Sequence, residues 1–261
     1  MDNDDKFVGH IYSRREAFRI AGTAGFALLV GGARGQESSK QTTTNPDVNL
    51  VATPEVEEGP FFVDEKLNRK DVTEGTTRHS VAKGTPLYLK FVVYELSKGA
   101  GKPLKGAQVD IWHSDAAGVY SDEQSGSVQG EDTRGQKWLR GYQVTDSKGL
   151  AEFKTIYPGW YPGRTIHIHV KVRVPATGGK PAYNFVTQVF FDEKTNDAVL
   201  AKAPYNTRGE RRVKNANDGL FATKQADGTT VGSHLMLDLA DASEGTGKKG
   251  TYAIAFDMDG V

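Results

Sequence analysis

The chain of 261 residues contains no cysteine. That absence excludes a disulfide framework, a thiolate nucleophile, a zinc–thiolate centre and an iron–sulfur cluster. A metal bound by this chain is held by histidine, tyrosine or carboxylate. An excess of one charge is lacking as well, since 33 Lys and Arg balance 33 Asp and Glu. Such a balance gives no support for nucleic acid or an anionic membrane surface as partner. Long hydrophobic runs are also missing. The apolar stretch Ile20–Val30 is shorter than the ~20 residues a membrane-spanning helix needs, so stable membrane insertion is not expected.

What the chain has in quantity is turn-forming residues. Its 30 glycines and 10 prolines suit a loop-rich β protein better than a helical bundle. Leu87, Leu89, Phe91 and Val93 alternate with Tyr88, Lys90, Val92 and Tyr94, the period of a strand. Ala107, Val109 and Ile111 alternate in the same way with Gln108, Asp110 and Trp112. Further strands are expected over Trp138–Thr145, Ala151–Thr155, Ile166–Val174, Asn184–Phe191 and Thr251–Phe256. One helix is expected over Asp192–Ala203, with Asp192 as its N-cap. The fold expected is all-β, an antiparallel β-sandwich with long loops and a short helix.

The N-terminus reads differently. Ser13-Arg14-Arg15-Glu16-Ala17-Phe18 precedes the mild apolar run, and small residues follow it. This order resembles a twin-arginine export signal over residues 1–35. The alternative is an amphipathic helix of the mature protein. Residues 36–50 have linker composition, and one β-sandwich domain is expected over 51–261. The expected location is periplasmic or extracellular, or cytoplasmic if the signal does not function.

The densest chemical signal is Arg164-Thr165-Ile166-His167-Ile168-His169-Val170. Residues two apart on a strand share a face, so His167 and His169 can meet one metal ion while Ile166, Ile168 and Val170 pack the other side. The pair alone is compatible with zinc, copper or iron, and equally with two solvent-facing imidazoles. Pro158-Gly159-Trp160-Tyr161-Pro162-Gly163 leads into that strand and fixes the aim of Tyr161. Upstream, a strand ending at Trp112 turns into a loop carrying His113, Asp115, Gly118, Val119 and Tyr120. A tyrosine is more often a core aromatic than a ligand. A phenol titrates near ~10 and binds as phenolate at neutral pH only against a strong Lewis acid such as iron(III).

Taken together, Trp112-x-x-x-Ala116-x-Gly118-x-Tyr120, Pro158-Gly159-x-Tyr161 and Arg164-x-x-His167-x-His169 resemble the intradiol ring-cleavage dioxygenases. That family includes catechol, protocatechuate and hydroxyquinol dioxygenases. Glu58-Gly59-Pro60-Phe61 and Thr187-Gln188-Val189-Phe190-Phe191 extend the likeness, which covers roughly residues 53–222. The chain is most similar to the exported, stand-alone members, without the long helical linker of the dimeric catechol enzymes. The resemblance implies that Tyr120, Tyr161, His167 and His169 hold a non-haem iron(III), with Tyr120 and His167 equatorial, Tyr161 and His169 axial, and a hydroxide at the fifth site. It implies an oxidoreductase that takes O2 and a small aromatic diol and cleaves the ring between the hydroxyl-bearing carbons, giving a cis,cis-muconate-type product.

On the same resemblance, Arg164 stabilises negative charge on the activated ring, Tyr161 accepts a proton, and Gln188 orients Arg164 or the metal's surroundings. The spacing of Arg164 from His167 would put it on the wrong face of a strand, so it is expected on the preceding loop. His113 is read as structural or near the pocket, and the role of Asp115 stays open. The substrate pocket is expected near Gly59, Pro60, Phe61, Val119, Trp160 and Gly163. No basic cluster stands out as a carboxylate site. Nothing names the catechol or fixes the oligomeric state, and a homo-oligomer is compatible with the sequence. Two other classes remain open: a non-catalytic sandwich binding a carbohydrate-type ligand, and a zinc or copper enzyme built on His167 and His169.

Overall fold

A computed structural model describes residues 50–258, apart from 98–99, 127–128, 179–181 and 244–245. The signal segment expected over 1–35 and, save for Leu50, the linker expected over 36–50 lie outside the described residues. Among the described residues, nine strands form two sheets. In chain order they are β1 (Pro86–Ser97), β2 (Ala100–Pro103), β3 (Gln108–Trp112), β4 (Arg140–Val144), β5 (Leu150–Ile156), β6 (His167–Val174), β7 (Tyr183–Phe190), β8 (Leu239–Asp241) and β9 (Lys248–Asp257). The first sheet is centred on β1, which pairs β9 along one edge and β5 then β2 along the other, with β8 beyond β9. The second has the order β4-β3-β6-β7. Every strand pairing is antiparallel except β1 with β9, which is parallel.

The alternation read from β1 is the alternation of burial. Leu87, Leu89, Phe91 and Val93 point into the core, and Tyr88 and Lys90 are exposed. Facing them from the other sheet are Val109 and Ile111 of β3, Ile168, Val170 and Val172 of β6, and Phe185 and Val189 of β7. Each such side chain contributes about 1.5–3 kcal/mol on full burial, and this shared core fixes the register of both sheets. In β3, β6 and the C-terminal half of β7 the alternation of burial disappears, because the outer face is covered too. Loops and short helices lie over it, and the candidate site is on that covered outer face.

Among the described residues the α-helices are few and short: α1 (His79–Ala82), α2 (Glu193–Leu200), α3 (Gly219–Ala222) and α4 (Val231–His234). In α2 the Asp192 carboxylate accepts from the Thr195 amide, the N-cap that the sequence suggested. This helix ends at Leu200 rather than Ala203. Strands β2 and β8 were not expected: Ala-Gly-Lys-Pro and Leu-Ala-Asp have little strand propensity and are recruited as edges by β1 and β9.

Candidate active site

The outer face of the second sheet is a floor built by strand register. Arg140, Trp112, His169 and Gln188 sit opposite one another across β4, β3, β6 and β7. Directly opposed residues share a face, so this row presents four polar or aromatic side chains side by side. His167, two residues before His169, is opposite Phe190 in the next row. The Trp112 indole stacks on the His169 ring at 4.8 Å between centroids and 8° between planes. The His167 and His169 Nε2 atoms are 3.1 Å apart, and both residues are buried. His167 Nδ1 lies 2.7 Å from the Thr165 carbonyl oxygen. A carbonyl only accepts, so Nδ1 carries the hydrogen and Nε2 of the neutral ring presents its lone pair to the site.

Two loops bring the tyrosines. Tyr161 places its Oη 3.2 Å from His167 Nε2. The Tyr120 ring is edge-on to Tyr161 at 5.6 Å and to His169 at 6.2 Å between centroids. Phe61 stacks on Tyr120 at 4.3 Å and meets Tyr161 edge-on at 5.9 Å. All three aromatic rings are buried. Arg140 ties this wall together from below, donating to the carbonyls of Phe61 and Ser121 and to the Ser121 hydroxyl. The structure thus brings together the four residues expected as metal ligands, with Phe61 of the expected pocket against them.

Gly118 lets the two tyrosine loops meet. Its φ is +72°, and a Cβ there would run into the Trp160 carbonyl and the Arg208 guanidinium. Gly118→Ala would add a left-handed backbone penalty of about 1–2 kcal/mol to that clash. The expected outcome is a protein with a lower denaturation midpoint, checked by urea denaturation. An unchanged midpoint would show that the loops do not depend on this contact.

His113 and Asp115 are structural. Asp115 Oδ1 accepts from the Ala117 and Val119 amides, and Oδ2 from Ser80 Oγ and Arg78 Nε. It shapes the loop that delivers Tyr120. His113 is buried, its Nδ1 donating to the Ser114 carbonyl at 2.8 Å and its Nε2 accepting from the Thr155 hydroxyl at 2.7 Å. Burial lowers its pKa from 6.5 to about 4. Above pH 6.5 the ring is neutral in both the folded and the unfolded chain. As pH falls toward 4 the unfolded chain takes up a proton that the folded one refuses, so stability drops, by about 3 kcal/mol in all. His113→Gln is therefore expected to lose less stability than the wild type between pH 7 and pH 4.5. Parallel slopes for the two proteins in denaturant titrations would contradict this.

Arg164 lies on the loop before β6, as its spacing suggested, but it is among the most buried side chains of the molecule, at 1% exposure. Its Nε donates to Asp218 Oδ2 at 3.0 Å and Nη2 to Gln188 Oε1 at 2.9 Å. Asp218, which the sequence reading missed, also accepts from the Thr165 amide at 2.7 Å through Oδ2 and caps α3 through Oδ1. Its one sequence-level signal was a capping pattern ahead of a very short helix. The Gln188 Nε2 and Trp112 Nε1 atoms are buried with no hydrogen-bond partner among the described residues.

Beside Tyr161 lies a cavity of about 470 Å³ lined by Trp160, Tyr161, Pro162, Gly163, Arg208, Glu210, Arg212 and Val213. Trp160 and Gly163 were expected there. Gly59, Pro60 and Val119 are not among its lining residues. The 208–213 wall was missed, and with it two arginines, where the sequence had suggested no basic cluster. Nothing in the local pattern of 208–213 announces a site, because its proximity to Tyr161 is tertiary.

Comparison with known proteins agrees with this geometry. A family model described as "Dioxygenase" matches residues 57–229. The chain belongs to the intradiol ring-cleavage dioxygenase family, a class of oxidoreductases. It is 28% identical over 211 residues to the protocatechuate 3,4-dioxygenase beta chain of Burkholderia cepacia, covering 77% of this chain and 83% of that one. It is 30% identical over 144 residues to the catechol 1,2-dioxygenase of Candida albicans, a match spanning 46% of this chain and 44% of that enzyme. Among solved structures, an intradiol ring-cleavage dioxygenase from Tetranychus urticae is 31% identical, with a TM-score of 0.64 over 80% of this chain and 96% of that one. The dioxygenase domain of a dioxygenase–carbohydrate-binding fusion from Streptomyces sp. SirexAA-E is 27% identical, with a TM-score of 0.54 over 79% and 98%. The family favours catechol-type ring cleavage over a non-catalytic sandwich.

Proposed function

We propose that this protein is a non-haem iron(III) dioxygenase that opens a catechol between its hydroxyl-bearing carbons to a cis,cis-muconate-type diacid. The observation that carries the reading is the convergence of His167 Nε2, His169 Nε2 and Tyr161 Oη within 3.1–3.2 Å steps in a buried site, with the Tyr120 ring beside them. Donor atoms about 3 Å apart suit neighbouring ligands on an ion with metal–nitrogen bonds of about 2.1 Å. Tyr161 Oη is in contact with His167 Nε2, so a metal held by the two imidazoles would have a phenol oxygen within reach. Phenolate donors favour iron(III) over zinc or copper(I).

In this reading Tyr120, Tyr161, His167 and His169 hold the ion. Bound iron(III) would supply Lewis acidity and activate the chelated diol toward O2. The residues do the rest. Tyr161, held as phenolate, would accept a diol proton at its Oη as the substrate enters and so act as a general base. Arg164, held between Asp218 and Gln188, presents fixed positive charge toward the ring as electron density builds on it. The Gln188 Nε2 donor, buried without a hydrogen-bond partner among the described residues, is available to a substrate or oxygen atom. Phe61 and Trp112 keep water from the site. No organic cofactor or external reductant is required.

The test is purification from iron-supplemented cells. One iron per chain and a broad visible phenolate-to-iron absorption are expected, and a colourless iron-loaded protein refutes tyrosine ligation. Tyr161→Phe should shift that absorption and slow turnover by about a hundredfold or more. An unchanged spectrum argues that Tyr161 is only a wall of the pocket. Export by the twin-arginine-like segment is a separate proposal, tested by fractionating cells that carry Arg14→Lys, Arg15→Lys.

A further inference from the structure

The cavity beside Tyr161 is larger than a bare catechol needs. At about 470 Å³ it lies in the range of drug-sized ligands, ~300–1,000 Å³. One wall is Trp160 and Gly163; the other is the segment holding Arg208, Glu210 and Arg212. Arg208 is half-buried and held rigidly. Its Nη1 donates to the carbonyls of Ala117 and Gly118, and its guanidinium lies over the Trp160 ring, 5.2 Å from the centroid. The Gly118 notch admits that guanidinium where any side chain would block it. Among the described residues, Arg208 Nε and Nη2 have no hydrogen-bond partner, and neither Arg212 nor Glu210 forms an ion pair. A guanidinium fixed at one nitrogen, with its other donors unspent in a cavity wall, is pre-organised to take a carboxylate by two parallel N–H bonds.

Resting on the ring-cleavage reading, we propose that Arg208, backed by Arg212, forms an anion subsite that makes this enzyme select catechols bearing an acidic side arm over neutral ones. The diol enters at Tyr161, the arm runs along Trp160, and its carboxylate meets Arg208. Glu210 opposes the same charge and limits the preference. Arg208 is thus a specificity-determining residue, and its contribution falls on binding of the acid rather than on ring opening.

The experiment uses 3-(3,4-dihydroxyphenyl)propanoate and its methyl ester, which differ only in the charge at the end of the arm. Oxygen-uptake kinetics give kcat and KM for both, with unsubstituted catechol as reference. Anaerobic titration of the iron-loaded protein, followed by tryptophan fluorescence, gives binding without turnover. The wild type is expected to prefer the acid about tenfold or more in kcat/KM and in affinity. Arg208→Gln should remove most of that ratio through KM, and Arg208→Lys should keep part of it. The exposed replacements Arg212→Gln and Glu210→Gln, which threaten folding least, should lower and raise the ratio about twofold. Added salt should shrink it in the wild type. Equal losses for acid and ester in Arg208→Gln would make Arg208 a clamp between the loops and overturn the proposal, as would a wild type indifferent to the charge. A wild type that cleaves no catechol refutes the ring-cleavage reading instead, and the anaerobic titration then still decides the subsite.

Discussion

His167→Ala protein is expected to emerge from iron-supplemented cells colourless, with less than about a tenth of the wild-type iron, and without measurable ring cleavage. His167 is the hinge of the donor cluster: its Nε2 lies 3.2 Å from Tyr161 Oη and 3.1 Å from His169 Nε2. Its tautomer is set by the Thr165 carbonyl, itself part of the loop that Asp218 holds through the Thr165 amide. Deleting the ring removes one donor and leaves the other two without their common neighbour. The fold should survive, because His167 begins β6 and faces outward from the shared core. Metal analysis together with far-UV circular dichroism checks this. A folded variant with full iron content would take His167 out of the metal's shell.

The second large effect is expected at Asp218. The Arg164–Asp218 pair is buried, with side-chain exposures of 1% and 0%. Removing one partner of a buried, hydrogen-bonded ion pair costs about 3–5 kcal/mol. Asp218→Ala also deletes the cap of α3 and the anchor of the Thr165 amide. It is therefore expected to lower the urea midpoint sharply and to reduce kcat/KM by at least about a hundredfold. Arg164→Met combined with Asp218→Ala should be more stable than Asp218→Ala alone, because the buried guanidinium that faced the lost carboxylate is gone too, yet no more active. A double variant as unstable as the sum of the singles would show that the pair is not coupled. Recovery of activity in it would remove Arg164 from the chemistry.

The parts of the molecule legible in the sequence are those written in short periods. His-x-His at strand spacing puts two imidazoles on one face, and the structure has them 3.1 Å apart. Alternation over Leu87–Val93 gave β1 its inward face. What escaped was set by neighbours distant in the chain. Arg164 could be assigned to a loop from its spacing, but its burial depends on Asp218, 54 positions onward, and on Gln188. Arg208 touches Ala117 and Gly118, some 90 positions upstream, and no local pattern marks it. Strands β2 and β8 form because β1 and β9 offer open edges, not because Ala-Gly-Lys-Pro or Leu-Ala-Asp prefers extension.

In the sequence His113 reads as structural or near the pocket, and Asp115 has no assigned role. In the fold both are spent on the frame, His113 between Ser114 and Thr155 and Asp115 on the turn ahead of Tyr120. A buried neutral imidazole held by a carbonyl and a hydroxyl stiffens the junction between the end of β3 and the loop that carries Tyr120.

The central claim is cleavage between the hydroxyl-bearing carbons. It is tested most directly by incubating iron-replete protein with catechol under isotopically labelled O2 and identifying the product by mass and ultraviolet spectrum. A colourless cis,cis-muconate-type diacid carrying both labelled oxygen atoms is the expected result. A coloured semialdehyde, or consumption of catechol without incorporation of label, would contradict it.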